Sequence, residues 1–155
     1  MGIAEALIGL GDVLLKQGDR AGAAGCYGDA LALVQARGDQ VDRAWALRGL
    51  ARVARAEGEH ARARQLFAES LRLAWAQANP WGIAVCLDGL GGVAALGDAA
   101  WAAVLFGAAD HVRVANQLRA VPGAARRRRR PGCRTRPTWR RGVRYGTRAG
   151  HGTGC

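Results

Sequence analysis

The sequence predicts an all-α fold, an α-solenoid of about three two-helix repeats, on three observations. The first is punctuation: Gly18-Asp19, Gly38-Asp39 and Gly58-Glu59 recur every 20 residues, Asn79-Pro80 falls at the next mark, and Gly97-Asp98 follows one residue early. Gly tolerates the positive φ that ends a helix. Asp and Asn accept from the free N–H groups that begin the next one, and Pro fits the first helical position. The second is composition: the stretches between the marks are rich in Ala, Leu and Arg, all good helix formers. The third is self-similarity. Leu10, Gly18, Ala23, Tyr27, Ala30 and Leu31 align with Leu50, Gly58, Ala63, Phe67, Ser70 and Leu71, each 40 residues on. Six antiparallel helices follow, two per unit. One pair cannot bury its apolar stripe, so the units must stack.

The first repeat spans about 3–38. Met1 leads straight into the helical pattern Ile3-Ala4-Glu5-Ala6-Leu7 with no capping residue ahead of it. After the Gly18 turn, the second helix carries Ala23 and Tyr27. The second repeat, about 39–78, repeats that order with Gly58, Ala63 and Phe67, and places Ser70, the one serine in the chain, where a small residue is wanted. The third, about 79–119, opens on Asn79-Pro80 and gives Leu90, Gly97, Ala102, Phe106 and Ala109 after a one-residue deletion. Ala23, Ala63 and Ala102 let paired helices approach closely. The aromatic four residues later shares their face and fills the space beside the crossing.

This arrangement resembles the tetratricopeptide repeat. The resemblance rests on Leu10-Gly11, Leu50-Ala51 and Leu90-Gly91 in the first helices, the closing Gly, and the Ala and Tyr/Phe of the second helices. The usual repeat has about 34 residues; units of 39 to 40 imply longer helices. The long form is similar to the C-terminal arrays of bacterial LuxR-type and related signal-transduction ATPase regulators, above all from Trp81-Gly82-Ile83-Ala84 through Leu87-Asp88-Gly89-Leu90 to Leu105-Phe106-Gly107-Ala108-Ala109. That likeness implies a cytoplasmic protein-interaction module, the truncated C-terminal part of a regulator. The family's ATPase module and DNA-reading helices have no counterpart in this sequence.

Charge divides the chain near residue 121. Residues 1–120 carry twelve basic and twelve acidic side chains; the last 35 carry eleven Arg and no acid, which accounts for the whole net charge of +11. Residues 1–120 therefore read as one helical repeat domain. Residues 121–155, with Arg126, Arg127, Arg128, Arg129 and Arg130 in a row and almost no aliphatic side chains, cannot bury enough apolar area to offset chain entropy and read as a disordered tail. Acids vanish at once while Arg, Gly, Thr, Pro and Cys rise together. A shifted reading frame in GC-rich DNA produces that change. Two other readings compete: a genuine disordered basic tail, and a nucleic-acid-binding arm in which the arginines track phosphates while Trp139 and Tyr145 stack on bases.

Chemistry is poorly supplied. Lys16, the one lysine, lies in no phosphate-cradling loop. Gly89-x-Gly91-x-x-Ala94 imitates a dinucleotide fingerprint, but the repeat register places it inside a helix. Cys26, Cys86, Cys133 and Cys155 are too dispersed for a zinc site or a disulfide framework, which fits a reducing cytoplasm. His60 and His111 are isolated. The apolar run from Gly89 to Ala109 is long enough to suggest a membrane span, but Gly97-Asp98 breaks it. The expectation is no enzyme, no cofactor, no metal and no membrane.

The candidate partner surface is the groove lined by the first helix of each pair. Arg48, Arg52 and Arg55 share a face of the middle such helix, with Asp12 and Lys16 to one side and Asp88 to the other. Guanidinium forks suit carboxylates, so an acidic peptide or protein segment is the expected ligand. The competing reading of these arginines is a solvated face with weak ion pairs to Asp12 and Asp88. Trp45, Trp75, Trp81 and Trp101 are expected to pack between helices.

Overall fold

The protein is described by a computed structural model covering residues 2–117. Six helices follow one another: α1 (Ile3–Gln17), α2 (Arg20–Arg37), α3 (Gln40–Ala56), α4 (His60–Ala76), α5 (Pro80–Ala94) and α6 (Ala99–Ala115). No strand occurs among the described residues. The all-α expectation holds, with turns where the punctuation puts them. The expectations for the tail, including Arg126–Arg130, lie outside the described residues.

Local chemistry sets the boundaries. Asp19 accepts from the Gly22 N–H (2.8 Å), Asn79 from Gly82 (3.0 Å) and Asp98 from Trp101 (2.8 Å), while Asp39 accepts from both Val41 and Asp42. Glu59 does not cap with its side chain, which pairs with Arg62 instead. The start of α1, read as uncapped, has Glu5 folding back to accept from the Gly2 N–H at 3.4 Å. Gly18, Gly38 and Gly58 take the left-handed conformation, as their spacing requires. The fourth turn puts Ala78 there, at φ 49°, and Gly97 in the fifth turn does not adopt a positive φ. That last turn closes through the Ala94 carbonyl, which accepts from the N–H groups of both Gly97 and Asp98.

Each odd helix packs on the even helix after it, and each even helix on the next odd one; α1 also touches α3, and α3 touches α5. The even helices do not meet one another among the described residues. A stack closed on one side and splayed on the other curves, with α1, α3 and α5 on its inner side. No described helix is long and apolar enough to cross a membrane, and the apolar run from 89 to 109 is divided between α5 and α6.

The core is built from aromatics seated on glycines. Tyr27 and Phe67 are almost wholly buried, as are Ala23, Ala63 and Ala102 at the crossings. A Cβ on Gly11 would lie 2.8 Å from the Tyr27 ring, and one on Gly49 closer still. Tyr27 of α2 is thus held between its own partner helix and the next odd helix. Phe67 repeats the arrangement, with Ala51 on one side and Gly89 on the other. Phe106 seats on Gly91, where a Cβ would come within 2.9 Å.

Gly9, Gly49 and Gly89 occupy the same place in successive units, yet a Cβ on Gly9 would meet nothing within 4 Å. Gly49→Ala and Gly89→Ala are therefore expected to destabilise by about 1–3 kcal/mol through overpacking. Gly9→Ala should stabilise by up to about 1 kcal/mol through helix propensity. Chemical denaturation of the three variants checks the opposite signs. Ala78→Gly should also stabilise, by about 1 kcal/mol, since only glycine adopts the left-handed region without strain; its urea midpoint should rise.

Candidate partner surface on the odd helices

The inner face displays residues of α1, α3 and α5, and the repeat spacing governs which of them meet. Asp12 and Arg52 lie 40 residues apart, at the same place in successive helices. Arg52 donates to Asp12 Oδ1, and the Tyr27 hydroxyl donates to the same oxygen at 2.7 Å. Asp12 thereby joins α1, α2 and α3. Burial, then the bond to Asp12, pushes the Tyr27 phenol far above its usual range, so it remains a donor at any ordinary pH.

The four cations expected to form the groove are placed differently from one another. Lys16 and Arg55 are exposed; Arg52 is half-buried and paired with Asp12. Arg55 reaches over α5, its guanidinium lying where a Cβ on Gly92 would fall. Arg48 is 6% exposed. Its guanidinium carbon stands 4.4 Å from the Trp45 ring centre and 4.7 Å from that of Trp81, and these two rings stack at 4.9 Å. The three groups form a near-equilateral cluster joining α3 to α5, with favourable cation–π geometry. Burial lowers the Arg48 pKa from its usual value, with Asp12 opposing. Asp88, expected beside the arginines, pairs instead with Arg113 of α6, which also holds Asp110 at 3.2 Å.

Two of the four tryptophans depart from the packing expectation. Trp45 and Trp81 are half-buried, but Trp75 is 71% exposed and Trp101 54%. The reason is position: Trp75 and Trp101 lie on even helices, which do not touch one another. Trp75 instead forms a wall of an apolar groove of about 340 Å³ with Leu71 and Arg72 of α4 and Ile83 and Leu87 of α5.

Sequence reasoning missed a buried relay. The Cys86 thiol donates to Ser70 Oγ (3.2 Å), whose hydroxyl donates to the Ala44 carbonyl (2.7 Å). It ties α5, α4 and α3 together. Burial pushes the Cys86 thiol up, against the opposing pull of the Ser70 bond, which keeps it protonated and unreactive. Ion pairing of the groove arginines to Asp12 is the competing reading of that face, and the 40-residue offset singles out Arg52 as the partner. The relay carries no comparable signal in sequence. No group of three or more His, Cys, Asp or Glu among the described residues could hold a metal ion.

Asp12 accepts from two groups at once, so its loss strands both. Asp12→Ala should cost about 1–3 kcal/mol, because the wholly buried Tyr27 hydroxyl loses its acceptor. Tyr27→Phe should cost about 1 kcal/mol. The double variant should cost clearly less than the sum, and a double-mutant cycle by denaturant titration measures that coupling.

Residues 2–74 match the family model of the tetratricopeptide repeat. Among solved structures, the chain is similar to the crystal structure of the TPR domain of FLU from Arabidopsis, at 20% identity and a TM-score of 0.65, over 73% of this chain and 95% of that one. No curated protein matches the chain. With its odd helices on the inner side and an aromatic seated on small residues in each pair, the described structure is a tetratricopeptide-like solenoid.

Proposed function

We propose that the array is a non-catalytic protein-interaction module whose inner face takes an acidic peptide or protein segment. One observation carries this reading: Lys16 and Arg55 are both exposed, near the C-terminal ends of the neighbouring odd helices α1 and α3. Two solvent-exposed cations on adjacent helices suit an extended chain bearing carboxylates. Arg48 and Arg52 contribute differently, one holding α3 to α5 and the other α3 to α1. The similarity of Trp81–Leu90 and Leu105–Ala109 to regulator arrays supports a place for this module in the C-terminal part of a bacterial regulatory protein, with the residues after about 120 arising from a shifted frame. Reading the surrounding genomic DNA in all frames tests that origin; the idea fails if no Ala/Leu/Glu-rich helical continuation follows codon 120.

Binding is tested with Lys16→Glu/Arg55→Glu, both exposed positions, against acidic and neutral peptide libraries. Affinity for acidic peptides should fall about tenfold or more while neutral peptides are unaffected. The eleven tail arginines are present in parent and variant alike, so their attraction cancels in the comparison. Equal capture by both proteins would remove the inner face from the reading.

A further inference from the structure

α1 carries a face that the peptide reading does not use. Gly2, Ile3, Ala6, Gly9, Leu10 and Val13 lie on one side of this helix, and all six are exposed. Ile3 is 64% exposed, whereas Ile83, at the same place two units on, is 8% exposed. A contiguous apolar stripe left in water marks an interaction surface.

The chain itself shows what such a face is built to hold. Residues 2–13 match 82–93 at eight of twelve positions and 42–53 at six, so α5 is the better template for α1. In α5 this face is covered by α4. The Phe67 ring lies where a Cβ on Gly89 would fall, Leu90 and Val93 pack against the cluster around Phe67, and Cys86 donates to Ser70. A Cβ on Gly82 would stand 3.0 Å from the Ala74 methyl, and Ile83 and Leu87 line one apolar groove with Leu71 and Trp75. The same seats are present on α1, where a Cβ on Gly2 or Gly9 would meet nothing within 4 Å.

We propose that this face of α1 docks one amphipathic helix of the α4 type, supplied by a second polypeptide. Its signature is an aromatic ring over Gly9, small residues three and seven positions later, as at Ser70 and Ala74, and an apolar residue four positions later, as at Leu71, above Ile3. A second copy of this chain does not offer that signature through α6. Asp110 and Arg113 stand there in place of Leu71 and Ala74, and would bring two charges onto Ile3 and Gly2. The docked helix adds one layer to the end of the stack and uses neither Lys16 nor Arg55, so it is independent of the peptide reading.

The probe is a fluorescent, end-capped peptide of the α4 sequence, residues 59–77, titrated against the full chain by anisotropy. Saturable binding to the parent is expected, with the Phe67→Ala peptide about tenfold weaker or more. In the chain, Gly9→Leu fills the seat and Ile3→Glu charges the same face. Both positions are exposed, so both variants should keep the parent's melting transition. Each should weaken binding about tenfold or more. Hydrogen exchange read by mass spectrometry should show protection gained over residues 2–13 when the peptide is added. Equal affinity of the parent and both variants overturns the site. So does protection confined to α5, which means that the peptide displaces α4, and so does the absence of binding at about 1 mM peptide. A parent dimer in sedimentation that is lost in Gly9→Leu overturns the choice of occupant in favour of a second copy.

Discussion

The seating of an aromatic ring against helix backbone is the constraint on which the rest of this structure depends. Tyr27 and Phe67 each reach from an even helix toward two odd helices, and each requires a residue with no or almost no side chain on both sides: Gly11 and Gly49 for the first, Ala51 and Gly89 for the second. The ring sets the distance between its own pair and the distance to the next pair together. A solenoid stacks regularly when the spacing within a unit and between units is fixed by one side chain. Glycine inside a helix costs about 1 kcal/mol against alanine. The close approach of a buried aromatic offsets that cost, since such a ring buries on the order of 150–250 Å².

Polar groups distinguish the units that the aromatics make alike. Asp12 and Arg52 form a rung between the first two odd helices, and the equivalent position in α5 is Gly92, over which Arg55 lies. The even helices differ as well. Leu31 and Leu71 correspond to Asp110 in α6, while Val34 and Ala74 correspond to Arg113. These two residues pair with each other, and Arg113 also engages Asp88. α6 exposes Trp101, Val104 and Val114 but is polar at these two positions. By contrast Ala6, Gly9, Leu10 and Val13 of α1 are exposed, although their counterparts Ala46, Gly49, Leu50 and Val53 are packed against α2. The array is thus unlike at its two ends.

The legibility of the chain follows from what is periodic in it. Turns at Gly18, Gly38 and Gly58 were readable because each needs a residue that accepts positive φ, and that need has one common answer. Ala78 shows the limit: the backbone takes the same conformation there without the residue that announces it. The crossings at Ala23, Ala63 and Ala102 were readable from the 40-residue match. Within the candidate surface, the shared face of Arg48, Arg52 and Arg55 was visible, but not their separate fates. Those depend on the neighbouring helices: Trp81 arrives from α5, Asp12 from α1, and Gly92 leaves space for Arg55. Helical spacing places a side chain on a face. It does not specify what the next repeat sets opposite.

That distinction explains why the junction between α3 and α5 carries the most specific chemistry. Trp45 and Trp81 stack across it, Arg48 lies against both, and beneath them the Cys86–Ser70–Ala44 relay crosses three helices. Apolar packing of alanines and leucines tolerates small slips, because one methyl contact replaces another at little cost. A hydrogen bond from a buried hydroxyl to one carbonyl does not tolerate a slip, since a displaced Ser70 would leave its donor unpaired at a cost of about 1–3 kcal/mol. The relay and the aromatic–guanidinium cluster therefore select one register of α5 on α3 from those that small apolar residues alone would permit. A face shared by helices in fixed register holds its cations at fixed separations. Lys16 on α1 and Arg55 on α3 belong to helices tied by Asp12 in the same way.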